Sequence, residues 1–315
     1  MSRLSCLSQL VRARHSRGGR LAWYAVSLFV CALLLMPQAG GAQSQEPAFV
    51  SGVLDLPISN YYLTPRGVIV ENSGVIAQPS LLLNFNLYQG DGPINAVIGT
   101  VGIWNSIHSK QRDPLNASTT PNWNELDLIS GVSVTFLKSW TFSFNYEYWV
   151  SPIDAFPSAS HIELKLAYGD SFLKDLLPRL PGELSINPYI NFFIELKNKT
   201  AAPATVDKGF YFELGMVPKY VFAGYPLTIE LPTYLTFPSD DYYSQSSSLG
   251  IFGTGLKVTA PLTFIRPRYG RWSVHTDLLY RYLINDGIVA DNLASVTRAG
   301  TRHPVQIVAG LTLNF

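Results

Sequence analysis

Ser273 and His275 stand two residues apart, the spacing that puts both side chains on one face of a β-strand. A hydroxyl beside an imidazole is the heart of a nucleophilic acyl-transfer site, but the imidazole needs a third group to orient it. The sequence offers no identifiable third group, and the local alternation turns the pair away from the apolar face that a lipid substrate would touch. Beyond the first 42 residues the histidines are His108, His161, His275 and His303, and no two share a metal-ligand spacing. Asp240 and Asp241, beside the serine-rich stretch 244–248, present carboxylates suited to calcium, but a solvated loop is the favoured reading. There is no glycine-rich phosphate loop, and neither a cofactor nor a metal is expected.

The charged residues of the alternating segments say more. One face carries Asp127, Glu147, Glu163, Glu195, Glu213, Glu230 and Asp277, seven acids, against the four bases Lys165, Lys257, Arg271 and Arg281. Two readings stay open for them. They either build a wall-to-wall salt-bridge network that fills a narrow barrel, or line a water-filled path whose charge sets solute preference. On the second reading Glu147 facing Glu163, and Asp277 between Arg271 and Arg281, are the positions expected to matter, with modest preference for cations.

The elements that must position these residues have a period of two. From Thr141 to Val150, Phe142, Phe144, Tyr146, Tyr148 and Val150 share one face, while Thr141, Ser143, Asn145 and Glu147 share the other. The last segment repeats this, with Val305, Ile307, Ala309, Leu311, Leu313 and Phe315 on one side and Gln306, Gly310, Thr312 and Asn314 opposite. Such patterning predicts strands at about 50–58, 78–89, 94–105, 124–137, 140–150, 160–169, 183–196, 208–220, 225–237, 249–264, 270–284 and 303–315. In 94–105 the two faces compete and the register is not readable. Long links (59–77, 106–123, 151–159, 197–207, 238–248 and 285–302) alternate with links that are mostly tight, such as Lys138–Ser139. The link 170–182 is longer, with a helical turn expected before Pro178. Long loops on one side and short turns on the other, over an even strand count, are how outer-membrane barrels are built. Trp104, Trp123, Trp140, Trp149 and Trp272 fall near segment ends, as an interfacial aromatic girdle would place them.

Composition narrows the class further. Apolar residues are 47% and charged residues only 14% of the chain, against about 25% charged in an ordinary soluble domain. A net charge of +1 gives no field for nucleic acid. Arg3, Arg12, Arg14, Arg17 and Arg20 precede an uncharged run from Leu21 to Met36, then Pro37 and small residues to Ala42. That order predicts a cleaved signal peptide at 1–42 and a single domain at 43–315. Its removal takes both cysteines, Cys6 and Cys31, and five bases, leaving 18 basic and 22 acidic residues of the 23 and 22 in the whole chain.

Tyr61-Tyr62, Arg66-Gly67, Gln78-Pro79-Ser80 and Gly102-Ile103-Trp104-Asn105-Ser106 follow in an order that resembles the opening third of the TorF-type porins. The resemblance covers Tyr61 to Ser106 and implies a pore-type barrel of the Gram-negative outer membrane. Together these readings predict an all-β fold, a transmembrane antiparallel up-and-down β-barrel of twelve strands, passively passing small hydrophilic solutes. Its expected partners are outer-membrane lipid and the barrel-assembly machinery, the latter through the terminal aromatic Phe315. The alternatives are a barrel enzyme acting on lipids through Ser273 and His275, or a structural barrel that does not conduct.

Overall fold

The computed structural model describes residues 48–110, 122–170, 173, 179–198, 208–240, 242–295 and 297–315. Twelve antiparallel strands follow one another around a ring: β1 (Val50–Ser59), β2 (Ile76–Ala77 and Ser80–Gln89), β3 (Ile94–His108), β4 (Trp123–Phe136), β5 (Trp140–Val150) and β6 (Ala159–Tyr168). The ring continues with β7 (Gly182–Ser185 and Pro188–Lys197), β8 (Phe210–Met216 and Lys219–Phe222), β9 (Thr228–Glu230 and Thr233–Pro238), β10 (Ile251–Pro261), β11 (Arg271–Leu283) and β12 (Val305–Asn314). Each pairs with its neighbours in sequence, and β12 returns to β1, with Leu54 opposite Leu313 and Ile58 opposite Ala309. Phe315 completes the seam by exchanging backbone hydrogen bonds with Gly52, at 2.7 and 3.0 Å. Closure removes both sheet edges, so the backbone polar groups are satisfied within the wall, as a bilayer requires.

Proline sets the interruptions in four strands. Pro79, Pro188, Pro218 and Pro232 each stand at a break, where a residue without an amide hydrogen cannot extend the ladder. At the break in β7 the Asp170 carboxylate accepts the amides of Ile186 and Asn187, at 2.7 and 3.1 Å. The competing pattern in β3 also finds its reason. The pairing with β4 slips only between Ile94 and Ala96 and between Ser106 and Ile107, so from Ala96 to Ser106 one register holds: Val101 points outward, and Trp104 is an aromatic on the inward face, packed on Tyr62.

Outward positions form an apolar belt. Leu56, Ile58, Val101, Phe142, Phe144, Phe192, Leu214, Leu256, Leu278 and Ile307 are all exposed, at strand positions whose neighbours point inward. Exposed apolar area on that scale belongs in hydrocarbon rather than water. Among the described residues no helix is long and apolar enough to cross a membrane; the strands do the crossing. The tryptophan girdle needs correction. Trp123 and Trp140 are exposed at strand starts, but Trp149 is buried, and Trp104 packs against Tyr62 with ring centroids 5.5 Å apart. Both share the inward parity of their strands. The acidic lumen had a use for two rings that sequence position alone assigned to the interface.

Two of the long links are not plain loops. The link 59–77 turns back on itself as a small hairpin, Tyr62–Leu63 against Ile69–Glu71, with Tyr62, Leu63, Arg66, Ile69 and Glu71 buried. The link 285–302 contains helix α1 (Asp286–Ala294), whose N-cap Asn285 accepts the amide of Gly287 at 2.7 Å. The two lock together. Asn292 accepts the Ile69 amide and donates to the Gly67 carbonyl, each at 2.9 Å, and Thr297 donates to the Ile69 carbonyl at 3.0 Å. Around them Tyr211, Tyr242, Tyr243, Ile251, Leu283, Ile288 and Val289 form an apolar core, with Val68 packed against it. Gly67 has φ +83° and a Cβ there would meet Ile251 at 2.8 Å, so this turn needs glycine both for its backbone and for its fit. The result is a cap on the side where the long links lie.

Candidate functional site: the barrel lumen

Burial divides the inner wall into two zones. Near the cap the inward residues Ser106, His108, Glu125, Asp127, Trp149, His161, Glu195, Tyr211, Glu213, Arg281 and Gln306 are buried. Toward the short turns Asn84, Thr100, Ser133, Thr135, Ser143, Lys165, Thr259, Ser273 and Thr312 are only half-buried, so solvent reaches this part of the wall. Among the described residues the inward wall is polar, most buried toward the long links and more open toward the short turns.

The structure gives the residues chosen from the sequence the following places. Asp127 and Glu147 lie beneath the cap on β4 and β5. Glu163 accepts from Asn145 at 3.1 Å and from Asn191 at 2.6 Å, bridging β5, β6 and β7. Glu213 accepts the Tyr189 hydroxyl at 2.6 Å, and the Lys165 ammonium stands 4.3 Å from the centre of the same ring. Glu195 accepts the Gly209 amide at 2.9 Å. Glu230 and Lys257 pair in register across β9 and β10. Arg281 donates to the Tyr234 hydroxyl at 2.7 Å. Arg271 is exposed at the turn-side rim where β11 begins, so Asp277 is not flanked by two lumen arginines. Nor do Glu147 and Glu163 face one another. In register Glu163 opposes Asn145 and Glu147 opposes His161, with 3.4 Å between the Glu147 carboxylate and His161 Nε2.

Several lumen residues carry no motif and were not singled out from sequence. Asp55 on β1 reaches His275 Nε2 at 3.2 Å and accepts Thr312 at 2.7 Å, while His275 Nδ1 meets Asp277 at 3.1 Å. This bridge crosses β12 above Gly310, where any Cβ would collide with the imidazole. Parity could have found Glu125, two residues before Asp127, and His161, two before Glu163. Tyr62, whose hydroxyl donates to Glu125 at 2.5 Å, and Arg66, whose guanidinium lies 4.2 Å from the centre of the Trp149 ring, come from the long link 59–77, which the sequence reads as a loop beyond the wall.

The hydroxyl–imidazole chemistry is now defined by contacts. Both His275 nitrogens are engaged by carboxylates, which leaves neither to take a proton from Ser273. Among the described residues the serine hydroxyl that does touch an imidazole is Ser106, 2.9 Å from His108 Nε2, and both are buried beneath the cap on the inward side of the wall. Asp240 accepts from Ser246 at 2.7 Å, while Asp241 lies outside the described residues. Among the described residues no group of three or more acidic, histidine or cysteine side chains is arranged to hold a metal ion.

No family model matches the chain, and no curated protein matches it either. Solved structures do. The NanC porin shares 10% identity over 82% of this chain and 98% of its own, with a TM-score of 0.48. An outer-membrane channel from Pseudomonas putida F1 shares 12% over 89% of this chain and 100% of its own, with a TM-score of 0.46. The outer membrane phospholipase A of Escherichia coli shares 9% over 88% and 94%, with a TM-score of 0.40. Likeness this distant extends across channels and an enzyme alike, so function has to be argued from this chain's own lumen.

Proposed function

We propose that this protein is an outer-membrane channel of a Gram-negative bacterium, passing small hydrophilic solutes with modest preference for cations and closed at rest by its cap. The observation that carries this reading is the contrast between an apolar outer belt and a polar, half-buried inner wall. The carboxylates of the described inner wall, Asp55, Glu125, Asp127, Glu147, Glu163, Glu195, Glu213, Glu230 and Asp277, outnumber its bases Lys165, Lys257 and Arg281, even with Arg66 of the cap added. That excess of carboxylates raises the local cation concentration, and salt weakens it once the Debye length falls to about 10 Å near 0.1 M. The resemblance of Tyr61–Ser106 to TorF-type porins supports the same reading. Residues 1–42 are the exported chain's signal, 43–315 the barrel, and Phe315 at the β1–β12 seam is the feature offered to the assembly machinery. Lipid hydrolysis is disfavoured by the engaged nitrogens of His275 and by the sealed Ser106–His108 pair.

The test is conductance of purified protein in a planar bilayer. Rare openings are expected from the unaltered protein, and more frequent ones after Asn292→Ala, which removes two hydrogen bonds holding the hairpin. Reversal potential under a dilute salt gradient should show cation preference, reduced by Glu147→Gln with Glu163→Gln. Membranes that stay insulating with both proteins would favour a structural barrel, and anion preference would refute the assigned role of the wall.

A further inference from the structure

Arg66 is an unusual buried cation. It is 7% exposed, hangs from the capping hairpin into the lumen, and stacks its guanidinium on Trp149. Its charge acts on Glu125, Asp127 and Glu147. Yet among the described residues no carboxylate oxygen lies within the 4.0 Å of a salt bridge to it. Its Nε has no hydrogen-bond partner, and the same zone holds a partnerless Oδ1 on Asp127 and a partnerless Nδ1 on His161. These three side chains are all more than nine-tenths buried. A buried arginine ordinarily meets a carboxylate through two parallel hydrogen bonds. Here one cation lies on an aromatic face beside three carboxylates, and it pairs directly with none of the carboxylates. The cage has more acceptor capacity than its occupant fills.

We infer that the cage of Glu125, Asp127, Glu147 and Trp149 is a binding site for a solute bearing a guanidinium or primary ammonium group, with Arg66 as its tethered stand-in. The chemistry fits that class. Carboxylates accept the N–H donors of such a group, and the Trp149 face attracts its charge. The Trp149 Nε1 donates to Glu147 at 3.0 Å, which fixes ring and carboxylate relative to each other before any ligand arrives. An entering cation exchanges with the Arg66 guanidinium and removes its contact with Trp149, which leaves the Tyr243 hydroxyl on the Arg66 carbonyl, at 2.8 Å, as the tie holding the hairpin at this residue. The solute's route to the cage rests on the channel reading; its binding there does not.

The experiment uses full-length mature barrel in detergent, with folding verified for each variant by heat-modifiable gel mobility, and agmatine as the probe in equilibrium dialysis at low salt. Removing the tethered competitor in Arg66→Gln should tighten agmatine binding at least tenfold, because a tethered group competes at millimolar effective concentration. Adding Glu147→Gln to that variant should weaken binding at least tenfold, and 1,4-butanediol, an uncharged molecule with the same four-carbon spacer, should not bind. A second measurement needs no variant: saturating agmatine should raise tryptic cleavage at Arg66 of the unaltered protein several-fold. Equal agmatine affinity with and without Arg66, indifference to Glu147→Gln, or unchanged cleavage would overturn the inference. Agmatine binding by a protein that never conducts would instead overturn the channel reading and leave this one standing.

Discussion

Replacing Phe144 by arginine should cost the barrel far more than replacing its neighbour Asn145. Phe144 is the fifth of eleven residues in β5, near the middle of the spanning wall, and faces outward between Val132 of β4 and Leu164 of β6. An arginine at that depth costs about 2–4 kcal/mol on the lipid face of a barrel. Asn145 points the other way. An arginine there loses the bond from Asn145 to Glu163, at 3.1 Å, but sets a cation beside that carboxylate. Gly131 lies opposite and leaves space for a longer side chain to lie across β4. A hydrogen bond to a charged group is worth about 1.5–3 kcal/mol, and the new ion pair offsets most of it, so the net loss should stay within about 1 kcal/mol. The assay is urea unfolding of protein refolded into liposomes, followed by gel mobility. With a slope of about 2 kcal/mol per molar, the Phe144→Arg midpoint should fall by about 1 M or more, and the Asn145→Arg midpoint by less than half of that. Equal shifts would refute the assignment of inside and outside on β5, and with it the inward placement of Glu147 and Trp149.

Three further outcomes follow from local geometry. Cysteines placed at Ser248, in a long link, and at Asp91, in a short turn, should behave oppositely in intact cells: a membrane-impermeant maleimide should label the first and spare the second, and the reverse would invert the topology. Lys138 holds φ +65° in the β4–β5 turn, so Lys138→Gly should stabilise the refolded barrel by about 1 kcal/mol, and a loss in the same urea assay would contradict that backbone reading. Tyr243→Phe should loosen the cap by about 1 kcal/mol, seen as faster tryptic cleavage at Arg66, since it removes the bond to the Arg66 carbonyl. Burial first, then neighbouring Tyr242, pushes the Tyr243 hydroxyl well above its ordinary value near 10. Its contribution is therefore complete below pH 10 and lost as the solution becomes more alkaline. The unaltered protein should show cleavage that accelerates in that window, while Tyr243→Phe should not gain this dependence.

The sequence by itself determined the wall. A strand's side chains alternate with strict period two, and lipid outside with solvent inside demands opposite chemistry on the two faces. Phe142 to Val150 and Val305 to Phe315 therefore announce strands, faces and span together. The inward acids Glu147, Glu163, Glu195 and Glu213 were legible for the same reason. Tertiary structure alone decided what occupies the lumen. The link that carries Arg66 and Tyr62 has no period to read, and its inward fold depends on contacts with Asn292, Thr297 and Tyr243, more than 170 residues away. Trp104 and Trp149 look like interfacial residues until the parity of each strand is combined with a cap that covers them. His275 reaches Asp55 only because β12 closes the ring and Gly310 leaves room above it. Alternation is a local property fixed by the backbone. The cap and its cationic occupant are agreements between distant segments, and those exist only once the barrel has closed.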